Sequence, residues 1–194
     1  MKMVAAGGTG LTLDAWNRHE IDSNLPYRTI FVEAGDVDGD LRPDLLTGGS
    51  WYSNPGDVSG SWQRNTIGAP LNQLAVVYDF DGDGDLDALG TEATGSSSNS
   101  DLVWARNNGG GNFTVLNNVD AGQGDFLQGV AVGRFGPGGS GPLEIVLSWH
   151  NGGGGVQMLT VGNDPSQDQW TWRVISTTTQ SEQLSAGDID GDGD

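Results

Sequence analysis

Apolar residues in this chain come in short stretches, each ended by glycine, asparagine, aspartate or proline, and no segment carries a helical stripe. Four kinds of stretch recur in the same order. Phe31-Val-Glu-Ala34, Ala75-Val-Val-Tyr78, Gln128-Gly-Val-Ala-Val132 and Leu184-Ser-Ala186 read as a first strand running into a polar loop. Leu45-Leu-Thr47, residues 86–91 and Glu144-Ile-Val-Leu-Ser148 read as a second. Two tryptophan columns supply the third and fourth. One holds Trp51, Trp104 and Trp149, each leading into an asparagine turn; the other holds Trp16, Trp62 and Trp170, with Phe113 standing in for the missing member.

A four-stranded unit repeated in one cyclic order predicts an all-β fold, and most specifically a β-propeller built of four-stranded blades. Repeated hairpins could also form a sandwich or a solenoid, but the constant strand count favours blades. The expected blades cover about 29–68, 73–119 and 127–176, three complete units in the propeller at 13–194. Strands at 13–21 and 183–189 read as parts of a split or truncated blade, and 1–12 as a flexible lead-in.

The loop after each first strand carries the chemistry. It reads Asp36-Val-Asp38-Gly-Asp40-Leu-Arg42-Pro-Asp44, then Asp79-Phe-Asp81-Gly-Asp83-Gly-Asp85-Leu-Asp87. A last copy begins Asp188-Ile-Asp190-Gly-Asp192 and reaches the chain end before its ninth position. At 134–137 the corresponding place reads Arg-Phe-Gly-Pro, without acids. Aspartates at alternate positions of a tight turn bring carboxylates to one centre. Gly39, Gly82 and Gly191 permit the backbone such a turn needs. Calcium takes six to eight oxygens, with several carboxylates among them, whereas magnesium demands a rigid octahedron and keeps its waters. The flanking β stretches argue against an EF-hand or a dockerin, which share the spacing but need helices.

Composition sharpens this. The chain of 194 residues has 26 acidic against 8 basic side chains, a formal charge of −18. Thirteen of those acids lie in the three loops: four in 36–44, five in 79–87 and four in 188–194. Such a charge argues against nucleic acid and anionic membrane surfaces as partners. No apolar run approaches the ~20 residues of a membrane-spanning helix, so membrane insertion is not expected. With no cysteine, disulfides and thiolate metal sites are excluded.

The loops and their setting resemble the FG-GAP/VCBS repeat family, whose blades carry a D-x-D-x-D-x-x-x-D calcium loop between the first two strands. The likeness spans Trp16 to Asp194, and both complete loops match at positions one, three, five and nine. It implies a calcium-stabilised propeller, with the seventh position, Arg42 or Asp85, giving its backbone carbonyl. The implied metal residues are thus Asp36, Asp38, Asp40, Arg42 and Asp44; Asp79, Asp81, Asp83, Asp85 and Asp87; and Asp188, Asp190 and Asp192. Calcium chemistry and the family together imply an extracellular or cell-surface location, although Met1–Gly10 lacks the apolar core of a signal peptide.

Other candidates carry less. His150, beside a glycine-rich turn, reads as a blade-edge histidine, with sugar contact or acid/base work as the alternative. Most tryptophans occupy repeat positions and read as packing; Trp172 is the extra one, and a candidate ligand contact. Asn112-Phe-Thr114 is a glycosylation sequon. No Ser–His–acid pattern stands out. The expected function is a non-enzymatic module binding a glycan or protein at a cell surface, or serving as scaffold. The alternatives are a fibre subunit self-associating head to tail through its terminal strands, and the propeller part of a polysaccharide lyase or sugar dehydratase.

Overall fold

The computed structural model describes residues 18–25, 29–92, 101–150, 154–177, 183–189 and 191. These hold twelve strands in three four-stranded sheets, each an antiparallel meander in chain order. Sheet 1 comprises β1 (Val32–Gly35), β2 (Asp44–Thr47), β3 (Ser50–Ser53) and β4 (Gln63–Thr66). Sheet 2 comprises β5 (Gln73–Tyr78), β6 (Asp87–Thr91), β7 (Leu102–Asn107) and β8 (Phe113–Leu116). Sheet 3 comprises β9 (Leu127–Gly133), β10 (Glu144–Trp149), β11 (Val156–Thr160) and β12 (Thr171–Ser176). The helical content of the described residues is a 3-10 turn at Pro137–Gly139 and a single 3-10 residue at Gly154. The chain is all-β.

Register makes the repeat exact at its first loop. Gly35 pairs with Asp44, Tyr78 with Asp87 and Gly133 with Glu144. Asp36, Asp79 and Arg134 are therefore equivalent, and so are Asp44, Asp87 and Glu144.

Period-two alternation sends the two faces of each sheet to different neighbours. In sheet 2, Leu89, Leu102 and Trp104 join a core shared with sheet 3, where they meet Ile145, Leu147, Leu159 and Trp170. The opposite face, with Ala88, Val103 and Ala105, meets Leu46 and Trp51 of sheet 1. Every residue of β6 is buried, and each fully buried leucine contributes about 1.5–3 kcal/mol. Leu46 and Trp51 match Leu89 and Trp104 in register, so sheet 1 offers sheet 2 the same face that sheet 2 offers sheet 3. At the core of the second contact, Trp104 and Trp170 stack with centroids 5.0 Å apart, and Phe80 meets Trp170 edge-on at 5.3 Å.

The first strands converge. β5 lies against both β1 and β9, and together they border a cleft of about 570 Å³ lined by Phe31, Glu33, Val76, Gln128 and Val130. Burial raises the Glu33 carboxyl above its ordinary pKa. On the free face of sheet 1, residues 21–25 form a strap. Asp22 accepts hydrogen bonds from the Tyr52 hydroxyl at 2.9 Å and Arg64 at 3.0 Å, above an apolar pocket of Leu25, Val32 and Leu45.

Two strand assignments differ from the sequence pattern. Trp149 belongs to the second strand of sheet 3, because β10 runs on through it, and the third strand is β11. Its indole is covered by backbone at Gly122, Gly124 and Gly154, positions where a side chain would collide with the ring. Residues 18–21 and 183–189, read as strands of a split blade, join no ladder; 1–17 lie outside the described residues.

Candidate metal centres

The β1–β2 and β5–β6 connections are built by the same bonds. A carboxylate at position one gathers the backbone N–H groups of a turn that has no ladder of its own. Asp36 Oδ1 accepts from Gly39 N at 2.8 Å and Asp40 N at 3.1 Å, and its Oδ2 accepts from Leu41 N at 2.8 Å. In the second loop, Asp79 Oδ1 accepts from Gly82 N at 2.8 Å and Asp83 N at 3.1 Å, and Oδ2 from Gly84 N at 3.0 Å. Asp38 and Asp81 at position three accept from the amide two residues on, as do Asp40 and Asp83 at position five.

Position nine ties each loop to its sheet. Asp44 is fully buried; its Oδ2 accepts from Val37 N at 2.9 Å and its Oδ1 from Asn54 N at 2.8 Å. Asp87, also fully buried, takes Phe80 N at 3.0 Å and Asn107 N at 2.8 Å. The two loops also share left-handed backbone at positions four and six. Gly39 (φ 81°) corresponds to Gly82 (φ 78°), and Leu41 (φ 68°) to Gly84 (φ 96°).

This folding brings carboxylates into contact. Oxygens of Asp36, Asp38 and Asp40 lie within 4.8 Å of one another, and so do those of Asp79, Asp81 and Asp87. Asp44 stands outside the first of these groups and Asp83 outside the second. Arg42 turns its side chain outward, donating from Nε to Asn54 O at 2.9 Å and pairing with Asp40. Asp85 N donates to Asp83 Oδ1. Burial first, then the neighbouring charges of Asp44 and Asp40, raises the Asp38 pKa. Burial and Asp83 raise that of Asp81. Asp87 is pushed up to about 7, chiefly by burial, against the lowering effect of its two backbone amides. Each loop thus concentrates negative charge at one point, relieved in the first only by Arg42 at Asp40. Clustered carboxylate oxygens are hard donors and fit a divalent cation of calcium's preferences.

In the last loop, Asp188 Oδ1 accepts from Gly191 N at 2.6 Å, and Gly191 has φ 79°, the same first step as in both complete loops. Asp190 and Asp192 lie outside the described residues. Sheet 3 closes its connection differently. Arg134 donates to Gly141 O at 2.6 Å, Gly136 and Ser140 form a two-way backbone bridge, and Glu144 at position nine takes Arg173 at 3.4 Å.

The remaining candidates disperse. His150 is exposed at the end of β10, its Nδ1 3.0 Å from Asp125 Oδ2 and its ring edge-on to Phe126. Trp172, on β12, is half-buried and packs against the core between sheets 2 and 3. Asn112 is exposed in the β7–β8 turn, where its Nδ2 donates to Gly109 O at 2.9 Å.

Sequence reasoning missed Asn107. Wholly buried, it donates from Nδ2 to Val37 O in the first loop at 2.9 Å, while its backbone N–H serves Asp87 in the second. The Trp-x-x-Asn spacing shared by Trp51/Asn54 and Trp104/Asn107 was the available signal. Among the described residues, no helix is long and apolar enough to cross a membrane. No family model, curated protein or solved structure matches this chain.

Proposed function

We propose that this chain is part of a calcium-stabilised β-propeller acting outside the cell or at its surface as a non-enzymatic binding or scaffold module, with a glycan or protein as its ligand. The reading is carried by one observation: two successive sheets repeat the same carboxylate-to-amide pattern and converge three carboxylates each time. The repeated face-to-back succession of sheets supports the propeller, since a third such step is what a ring continues. Asp36, Asp38 and Asp40 would hold one ion, and Asp79, Asp81 and Asp87 another. Bound calcium would neutralise the clustered charge and lock the link between first and second strands, a structural role.

Calcium at a hundredfold its dissociation constant stabilises by about 2.7 kcal/mol per site. In a domain of this size that raises the melting temperature by roughly 5–10 °C per site. Differential scanning calorimetry in calcium and in chelator tests it. An unchanged melting temperature removes the calcium reading, and a glycan array without signal removes the glycan ligand.

A fibre subunit is the second reading, favoured by edge strand β12, which exposes Val174 and Ile175. Negative-stain images of filaments at high protein concentration would support it; a monomer at every concentration removes it.

A further inference from the structure

We infer that Asn107 couples the two cation loops, so that filling the second loop strengthens binding at the first; the inference rests on the calcium reading above. The path is short and buried throughout. Asp87, at the second cluster, accepts from Asn107 N. The Asn107 side chain donates to Val37 O, and Val37 lies between the first-loop carboxylates Asp36 and Asp38. Val37 N then donates to Asp44 Oδ2. Val37 is 1% exposed, and Asp44, Asp87 and Asn107 are fully buried. None of these groups has water as an alternative partner, so displacing one leaves the next unsatisfied. The Asn107 amide oxygen is fixed from the other side by Gly109 N at 3.1 Å, and its Nδ2 also reaches Leu86 O at 3.4 Å. The side chain therefore has one orientation, set by the second loop and read by the first.

The repeat contains its own controls. Asn54 is the equivalent residue in sheet 1, and its Nδ2 reaches only Pro43 O of its own loop, at 2.8 Å. In sheet 3 the equivalent position is Val161, which bonds through its backbone to Leu143 O and has no side-chain donor for the second loop's Phe80. The link thus joins the first and second loops and goes no further.

Calcium titrated calorimetrically into four proteins tests this: the native chain, a chain with its second loop disabled by Asp79→Asn and Asp81→Asn, Asn107→Ser, and the combination. Disabling the second loop should weaken first-loop binding about 5–10-fold in the native background, within the usual span of coupling between sites. In the Asn107→Ser background the same change should weaken it less than twofold. If Asn107→Ser does not fold, Asn107→Val, which copies sheet 3, takes its place. Two sites that bind with a first-loop affinity indifferent to the second overturn the coupling and leave the calcium reading intact. Equal weakening in both backgrounds overturns the role of Asn107. A native chain that binds no calcium overturns both readings.

Discussion

Leu41 is the only residue other than glycine, among those described, held at a left-handed φ, and it is 91% exposed there. Its side chain packs on nothing, so its conformational cost of about 1–2 kcal/mol is not offset by burial. The second loop places Gly84 at the same position. Leu41→Gly should therefore stabilise the protein, by about 0.5–1 kcal/mol once the added freedom of the unfolded chain is deducted. Urea denaturation reads this directly, and a loss of stability would mean that Leu41 has contacts of its own. Asp87 gives a pH signature. Its folded pKa is raised to about 7 from 3.8, so the fold holds this proton more tightly than the unfolded chain does. That contribution is complete below about pH 4 and is lost as pH rises through 7. Chelated protein should melt lower at pH 8 than at pH 5, and Asp87→Asn should flatten the slope. Calcium bound at this cluster as proposed would compete with the proton and should reverse it. A chelated melting temperature that climbs with pH would contradict the assignment.

Strands were legible where a short apolar stretch runs into turn residues, as in β5 before Asp79 and β10 after Pro142. β11 was not, because Val156-Gln-Met-Leu-Thr160 has no tryptophan and follows a glycine run. Trp149 took its place in the pattern, although the indole is there to be covered by glycine backbone. That Asp36, Asp38 and Asp40, and Asp79 and Asp81, would gather was legible from their alternate spacing, whereas Asp44 and Asp83 fall outside the clusters. Asn107 was not: its side chain acts on a carbonyl 70 positions away, and no local pattern encodes that distance. The glycine cover is testable at the level of the element. At Gly124 a methyl group would fall within the Trp149 ring, while Gln157 clamps the same loop through Gln123 N at 3.1 Å and Gln123 O at 2.6 Å. Gly124→Ala should cost about 1–3 kcal/mol by overpacking, with a blue-to-red shift in tryptophan emission as the indole is exposed. A neutral result would mean that the 121–126 loop moves aside freely.

The three sheets share one design but close their first connection by different means, and this separates them in stability. Sheets 1 and 2 connect β1 to β2 and β5 to β6 through clusters of negative charge, with Asp36 and Asp79 holding the turn amides. Sheet 3 puts Arg134 where those aspartates stand and completes the turn with its own backbone through Gly136, Ser140 and Gly141. If calcium fills these two loops as proposed, removing it should loosen the molecule unevenly. The like charges within 4.8 Å repel in the first two loops, and a formal −18 over the whole chain adds to the strain. Hydrogen–deuterium exchange followed by mass spectrometry should show protection falling at residues 32–47 and 75–91 on chelation. At 127–149 it should hold until the whole chain melts. Moderate monovalent salt should restore part of the lost protection, because screening acts on the repulsion without filling the site. Equal loss across all three sheets would show that the cation loops act on the molecule as a single cooperative unit, and that the backbone closure around Arg134 confers no independence on sheet 3.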